Sequence, residues 1–354
     1  MSGSDASTAT DPERSRSGSP GSRWVVDRSA VVGGAVWVAL AALDTSGTVA
    51  LGRVDLFVGL AVLVVVPLGL GLLSPRDRFG RREDDGSRST ALPAAQAFRV
   101  AAVGQFPAAL AAVVGLGLPA GTAARVVLVL PWLVVTGALA VVGLARLLAR
   151  GPRPLPALAV DAALLYVPVA GVALVLHAAG ISLRFDPLIV LLTAVHFHYA
   201  GFALPLVAGV VSRHLTDEAG RFGDGPAGRL TAGALLVIVV NVGLIAVGIT
   251  FSPLVEVLAV AAFTVAVALF AAVVLRRVVP DLPGVPAALL ALAALSLFAT
   301  MALALAYGYS AYPATGRLVG IERMVTWHGT LNAFGFALPA LVACRWLVGE
   351  AGHE

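Results

Sequence analysis

The chain contains no lysine; all 24 of its basic residues are arginine. That excludes a retinal protein, which needs a lysine for its Schiff base. A single cysteine, Cys344, excludes an intrachain disulfide, and its place in the last apolar segment reads as packing. Charge is also scarce. Charged residues make up 12% of the chain and hydrophobic ones 59%, whereas a soluble domain carries about a quarter charged residues. With no soluble domain, the net charge of +4 points to a membrane surface rather than to nucleic acid.

What the chain has in abundance is apolar runs of about 20 residues, the length a helix needs to cross a bilayer core of roughly 30 Å. Ten spans are expected, near 29–47, 54–73, 97–116, 124–147, 157–179, 187–211, 229–251, 254–276, 285–307 and 325–347. The fold class is therefore all-α, a polytopic transmembrane helix bundle in a lipid bilayer. Residues 1–23 are rich in Ser, Gly, Asp and Arg and lack the apolar core of a signal peptide, so they read as a disordered cytoplasmic tail. Residues 24–349 then form a single transmembrane domain, and 350–354 a short C-terminal tail.

Arginine placement orients the spans. With the N-terminus inside, every arginine except Arg53, Arg125, Arg184, Arg317 and Arg323 falls on the cytoplasmic side. Ten spans put both termini in the cytoplasm, and the expected location is the cytoplasmic membrane. The charged loop 74–96 reads as an ordinary positive-inside loop, with contact to anionic headgroups as its functional alternative. Its Asp84-Asp85 pair has no second acidic cluster to complete a diphosphate-binding motif.

GFALP occurs twice, at 201–205 in span six and 335–339 in span ten. Both spans run in the same direction, four apart, so a duplication would be a parallel repeat. Span two is four earlier again and carries Pro67. Asp55 is 12 residues before Pro67, His196 nine before Pro205, and His328 11 before Pro339. At 1.5 Å per residue, these polar groups lie at similar depths, about 14–18 Å from their prolines. The alternative is chance in a chain rich in Ala and Leu, since Gly and Pro are common in membrane helices.

Ionisable groups in lipid need a partner or a task. Here they concentrate toward the expected outer half: Asp55, His177, His196, His198, Asn241, Glu256, a tyrosine group (Tyr307, Tyr309, Tyr312), Glu322, Arg323, His328 and Asn332. A polar pocket in that half is expected. The tyrosines read as an aromatic belt and Glu322–Arg323 as an interfacial pair. His214 and His353 read as solvent-exposed. Residues two apart on a helix point about 200° away from each other, so His196 and His198 cannot both hold one ion. His328 and Asn332, four apart, share a face, as do His196 and Tyr199, three apart.

The string HFHY at 196–199 is similar to the His-x-His-Tyr of haem–copper oxidases, whose two histidines reach two haems. That similarity covers about a dozen residues and leaves out the copper site, which needs three further histidines; this chain has six in all. Two longer segments, TAVHFHYAGFALPLVAG at 193–209 and ERMVTWHGTLNAFGFALPAL at 322–341, resemble the signature segments of the YndJ-like family of bacterial membrane proteins. The Pro67 helix fits as well. The resemblance implies a helical integral membrane protein and supplies no reaction. It also implies a glutamate near position 55, so Asp55 is a shorter acid than expected.

Residue chemistry leaves four readings. In the first, His196, His198 and His328 bind a haem or a transition metal at a redox site, with His196 and His328 as direct metal ligands and Asp55 or Glu256 as a carboxylate. In the second, the catalytic set His196, His198, His328, Asp55, Glu256 and Asn332 performs metal-free acid–base chemistry on a lipophilic small molecule. The third is a proton-coupled transporter or sensor. The fourth is structural, each histidine bonding a neighbouring helix for about 0.6–2 kcal/mol.

Overall fold

The computed structural model describes residues 21–73, 88–311, 316 and 318–350. The expectations for residues 1–20, the loop residues 74–87, Tyr312, Arg317 and the last four residues lie outside these. Among the described residues, ten helices are long and apolar enough to cross a membrane. They are α1 (Val25–Thr45), α2 (Arg53–Leu70), α3 (Pro93–Leu116), α4 (Ala123–Arg150), α5 (Leu155–Ala178), α6 (Pro187–Leu215), α7 (Pro226–Phe251), α8 (Pro253–Asp281), α9 (Gly284–Ser310) and α10 (Ile321–Gly349). The described residues contain no strand beyond an isolated bridge between Thr216 and Phe222. The fold is an all-α polytopic bundle.

Local chemistry sets the helix starts. Thr122 accepts from the Arg125 amide ahead of α4, Ser252 from the Val255 amide ahead of α8, and Asp186 from the Leu188 amide ahead of α6. These are N-caps, and Pro187 and Pro253 follow at the first helical position, where a missing N–H costs nothing.

Consecutive helices pack as neighbours, α3 on α4, α4 on α5 and α5 on α6, and again α7 on α8, α8 on α9 and α9 on α10. α1 packs on α2. The last helix of each series, α2, α6 and α10, meets the other two at the centre. Burial agrees: 78% of the apolar window of α2 is buried inside the protein, against 22% of α1. Glycine brings the central helices together. A Cβ on Gly69 of α2 would lie 2.6 Å from the Phe202 ring of α6, and one on Gly329 of α10 would lie 2.6 Å from the Phe57 ring of α2.

The three central helices share a backbone irregularity. Each carries a wide π turn, at Ala61–Val65 in α2, Tyr199–Ala203 in α6 and Leu331–Ala337 in α10. In each, the residue just before the proline donates its N–H five residues back: Val66 to Ala61, Leu204 to Tyr199, Leu338 to Ala333. Pro67, Pro205 and Pro339 follow directly. A proline ring crowds the carbonyl four residues earlier, and widening the turn relieves that clash. Proline alone does not demand it, because Pro107, Pro131 and Pro168 sit inside α3, α4 and α5 without a π turn.

The crowded carbonyl belongs to Leu63 in α2, Gly201 in α6 and Gly335 in α10. A neighbouring helix approaches at each. The Leu63 carbonyl fills the space where Gly33 of α1 would carry a Cβ. A Cβ on Gly201 would lie 3.3 Å from Tyr166 of α5, and one on Gly335 would overlap Ser296 of α9. The glycine of GFALP therefore lets α5 or α9 close on the wide turn. In α2 the small residue is on the partner instead.

The end of the bundle richest in arginine holds a buried ion cluster. Asp161 of α5 is fully buried and receives Arg146 Nε and Arg150 Nη2 of α4, each at 2.5 Å. Arg345 of α10 pairs there with Asp27 of α1.

Candidate functional site

The wide turn of α6 begins at Tyr199, one residue past His198. The two histidines of HFHY precede it and point to different partners, as their spacing requires. His198 is fully buried. Its Nδ1 lies 2.7 Å from the Ala194 carbonyl, and its Nε2 accepts from the indole N–H of Trp132 in α4 at 3.0 Å. A carbonyl only accepts, so Nδ1 carries the proton. Both nitrogens are therefore occupied, and no lone pair remains for a metal.

His196 is exposed on its helix, with Nδ1 2.8 Å from the Leu192 carbonyl. Its ring faces that of His328 on α10, with centroids 6.2 Å apart and planes 30° from parallel. His328 closes a second wide turn, Met324–His328. Its Nδ1 lies 3.0 Å from the Thr300 carbonyl of α9. In both rings, then, Nδ1 donates to a backbone carbonyl and Nε2 keeps its lone pair. Among the described residues neither Nε2 has a hydrogen-bond partner. Fixing the tautomer through Nδ1 in this way is how metal-ligating histidines are commonly held.

Asn332 completes the support. Its amide donates to the His328 carbonyl at 2.9 Å, tying the end of one wide turn to the start of the next. Its Oδ1 accepts from the Thr300 hydroxyl at 3.4 Å. Thr300, wholly buried, thus grips both His328 and Asn332. Neither Thr300 nor Trp132 was among the sequence candidates. A tryptophan in mid-span, away from the membrane interface, was the one available signal.

Asp55 belongs to a different neighbourhood. Its Oδ2 accepts from the Gly52 amide at 3.0 Å, which caps the start of α2. The charges within its reach are Arg125 at the start of α4, His177 at the end of α5 and Asp44, not the central histidines. Arg125 is buried and donates to the Leu118 carbonyl at 2.8 Å. Glu256 is separate again: it lies in the first turn of α8, packs its backbone against Gly248 of α7, and its carboxylate has no hydrogen-bond or ion-pair partner among the described residues. The six candidates therefore divide into His196, His328 and Asn332 together, with His198, Asp55 and Glu256 each elsewhere. Equal depth did not mean one pocket. Tyr199 donates to the Phe57 carbonyl of α2 at 3.0 Å, a packing role.

The donor set limits what the centre can hold. No group of three or more His, Cys, Asp or Glu side chains comes together among the described residues. A closed four-ligand zinc site would need more protein ligands than two histidines. A haem iron needs only one or two axial imidazoles, and an open transition-metal site can add outside ligands. Two nitrogen donors fit either.

The family model for YndJ-like proteins matches residues 56–336. The chain belongs to the YndJ-like family. The uncharacterised membrane protein YndJ of Bacillus subtilis (strain 168) is 33% identical over 183 residues. That match takes in 51% of this chain and 31% of the relative, so the YndJ-like chain spans about a third of the length of the curated relative it matches. No solved structure matches it. His196, His198, His328 and Asn332 all fall inside the matched YndJ-like region, and Asp55 lies one residue before it.

Proposed function

We propose that this YndJ-like membrane protein binds a transition metal between α6 and α10 through Nε2 of His196 and Nε2 of His328. The metal is held either as an ion or as haem iron, in a site that serves redox chemistry. The supporting observation is the matched pair of imidazoles on two different helices, each with Nδ1 on a backbone carbonyl and Nε2 free, at 6.2 Å between centroids. Metal–nitrogen bonds of about 2 Å to each ring are compatible with that spacing. A bound metal of this type supplies electron transfer or activation of a small ligand. The protein's part is to fix both rings: Leu192 and Thr300 hold the tautomers, and Asn332 steadies the turn that carries His328. The spans surrounding the site make a lipophilic small molecule the expected redox partner. The arginine distribution supports a cytoplasmic membrane location with both termini in the cytoplasm.

A second reading, proton-coupled transport or sensing, draws support from Asp55, Arg125 and His177, which share one electrostatic neighbourhood where three helices end. An absorption spectrum and elemental analysis of the detergent-purified protein separate the two. A Soret band identifies haem, and near-stoichiometric metal without one identifies an ion; His196→Ala and His328→Ala each lose the signal. A colourless, metal-free, folded protein that takes up neither haemin nor Cu(II), Fe(II) or Zn(II) overturns the metal site and leaves proton coupling or metal-free acid–base chemistry.

A further inference from the structure

An apolar groove of about 600 Å³ runs between α7 and α8 on the lipid-facing side of the bundle, and neither His196 nor His328 lines it. Its floor is made of small residues, Gly233 and Ala234 on α7 and Ala262 and Ala266 on α8, and larger apolar side chains such as Leu230 and Leu269 form its walls. One end is different: Arg229 lines it from the first turn of α7. α7 and α8 are consecutive antiparallel helices, so the start of α7 lies beside the end of α8. Arg276 is seven residues past Leu269 and falls on the same face of α8. Two guanidinium groups therefore flank the same end of an oily channel. Both are exposed, and neither has a hydrogen-bond or ion-pair partner among the described residues.

We infer that this groove seats one anionic glycerophospholipid, with an acyl chain along the Gly233–Ala262 floor and the phosphate between Arg229 and Arg276. Charge complementarity selects the occupant. An apolar transmembrane helix would leave both cations without a counter-charge, whereas a lipid phosphate sits at the depth where a span meets the interface. Basic pockets between transmembrane helices take acidic headgroups for this reason. Arginine also presents a planar fork that matches phosphate oxygens in pairs. The small floor residues let a chain lie against the helix backbones, which two leucines there would prevent.

The test is native mass spectrometry of the intact protein after equilibration with phosphatidylglycerol and phosphatidylcholine of identical acyl chains. One phosphatidylglycerol should be retained in clear preference, and Arg229→Gln and Arg276→Gln should each cut that preference about fivefold. Gly233→Leu should reduce retention of both lipids by filling the groove. If Gly233→Leu does not fold, the arginine variants, which leave the packing untouched, decide alone. Equal retention of the two lipids by the wild type overturns the inference. So does a preference that survives the double arginine variant, and so does a second copy of the chain occupying the groove in place of lipid.

Discussion

The indole N–H of Trp132 donates to Nε2 of His198 over 3.0 Å, and both residues are completely buried. This bond joins α4 to α6 two residues past His196 and makes His198 a strut, neutral and held at both nitrogens. Trp132→Phe leaves an imidazole nitrogen unsatisfied in the core, and His198→Phe leaves an indole N–H in the same position. Each should destabilise by about 1–3 kcal/mol, with the double variant losing less than the sum. Reversible unfolding in detergent, run as a double-mutant cycle, measures this; strict additivity would mean the bond carries nothing.

Asp161 is the fully buried carboxylate between Arg146 and Arg150. Asp161→Asn keeps the shape and removes the counter-charge. It should destabilise by about 3–5 kcal/mol, the range for breaking a buried pair from one side. Replacing Asp161 and Arg146 together by apolar residues of similar size should cost less than the single change. Unfolding midpoints of the three proteins test the order.

Asn332 is predicted to act through His328 without touching the bound group. Asn332→Ala should lower metal or haem affinity about 10- to 100-fold, the range for lost outer-shell support. Stability should fall by only about 1 kcal/mol. Titration of the metal-free protein against unfolding of the same preparation distinguishes this from general damage. Equal affinity in variant and wild type would remove Asn332 from the site.

Gly33 and Gly34 provide a matched pair. A Cβ at Gly33 would meet the backbone carbonyl of Leu63, whereas one at Gly34 meets nothing within 4 Å. Gly33→Ala should therefore push α1 away from α2 and lower stability. Gly34→Ala should be neutral or should stabilise by about 0.5–1 kcal/mol through helix propensity. Thermal unfolding of the two variants side by side gives the sign of each.

Much of the fold was legible because hydropathy and length are local properties. The expected span at 187–211 and the helix starting at Pro187 agree at the first residue, and all ten spans have counterparts. The site was legible only in part. Depth along a helix can be counted from sequence, so His196 and His328 could be placed at one level. Direction around the axis cannot be counted across a wide turn, where the angle per residue departs from 100°. That is why Asp55, at nearly the same depth as the histidines, lies instead with Arg125 and His177. It is also why Thr300 drew no notice: a threonine whose carbonyl serves a histidine looks in sequence like any threonine in a membrane helix. GFALP read in sequence only as a possible repeat; the structure shows that it coincides with the wide turns of α6 and α10, while α2 has the same turn and keeps only the proline.

Three contacts between the first helices and the last bear on how the protein is made. Asp27 pairs with Arg345, Arg53 donates to Thr326, and Trp37 packs its ring 5.5 Å from that of Phe334. Asp27 and Arg345 are 318 residues apart. At about 5–20 residues per second, α1 and α2 wait between roughly a quarter of a minute and a minute for their partner to leave the ribosome. Until then the most buried helix of the finished protein has one side open to lipid. Assembly is thus gated by the arrival of α10, and His328, carried on that helix, reaches His196 only as the bundle closes.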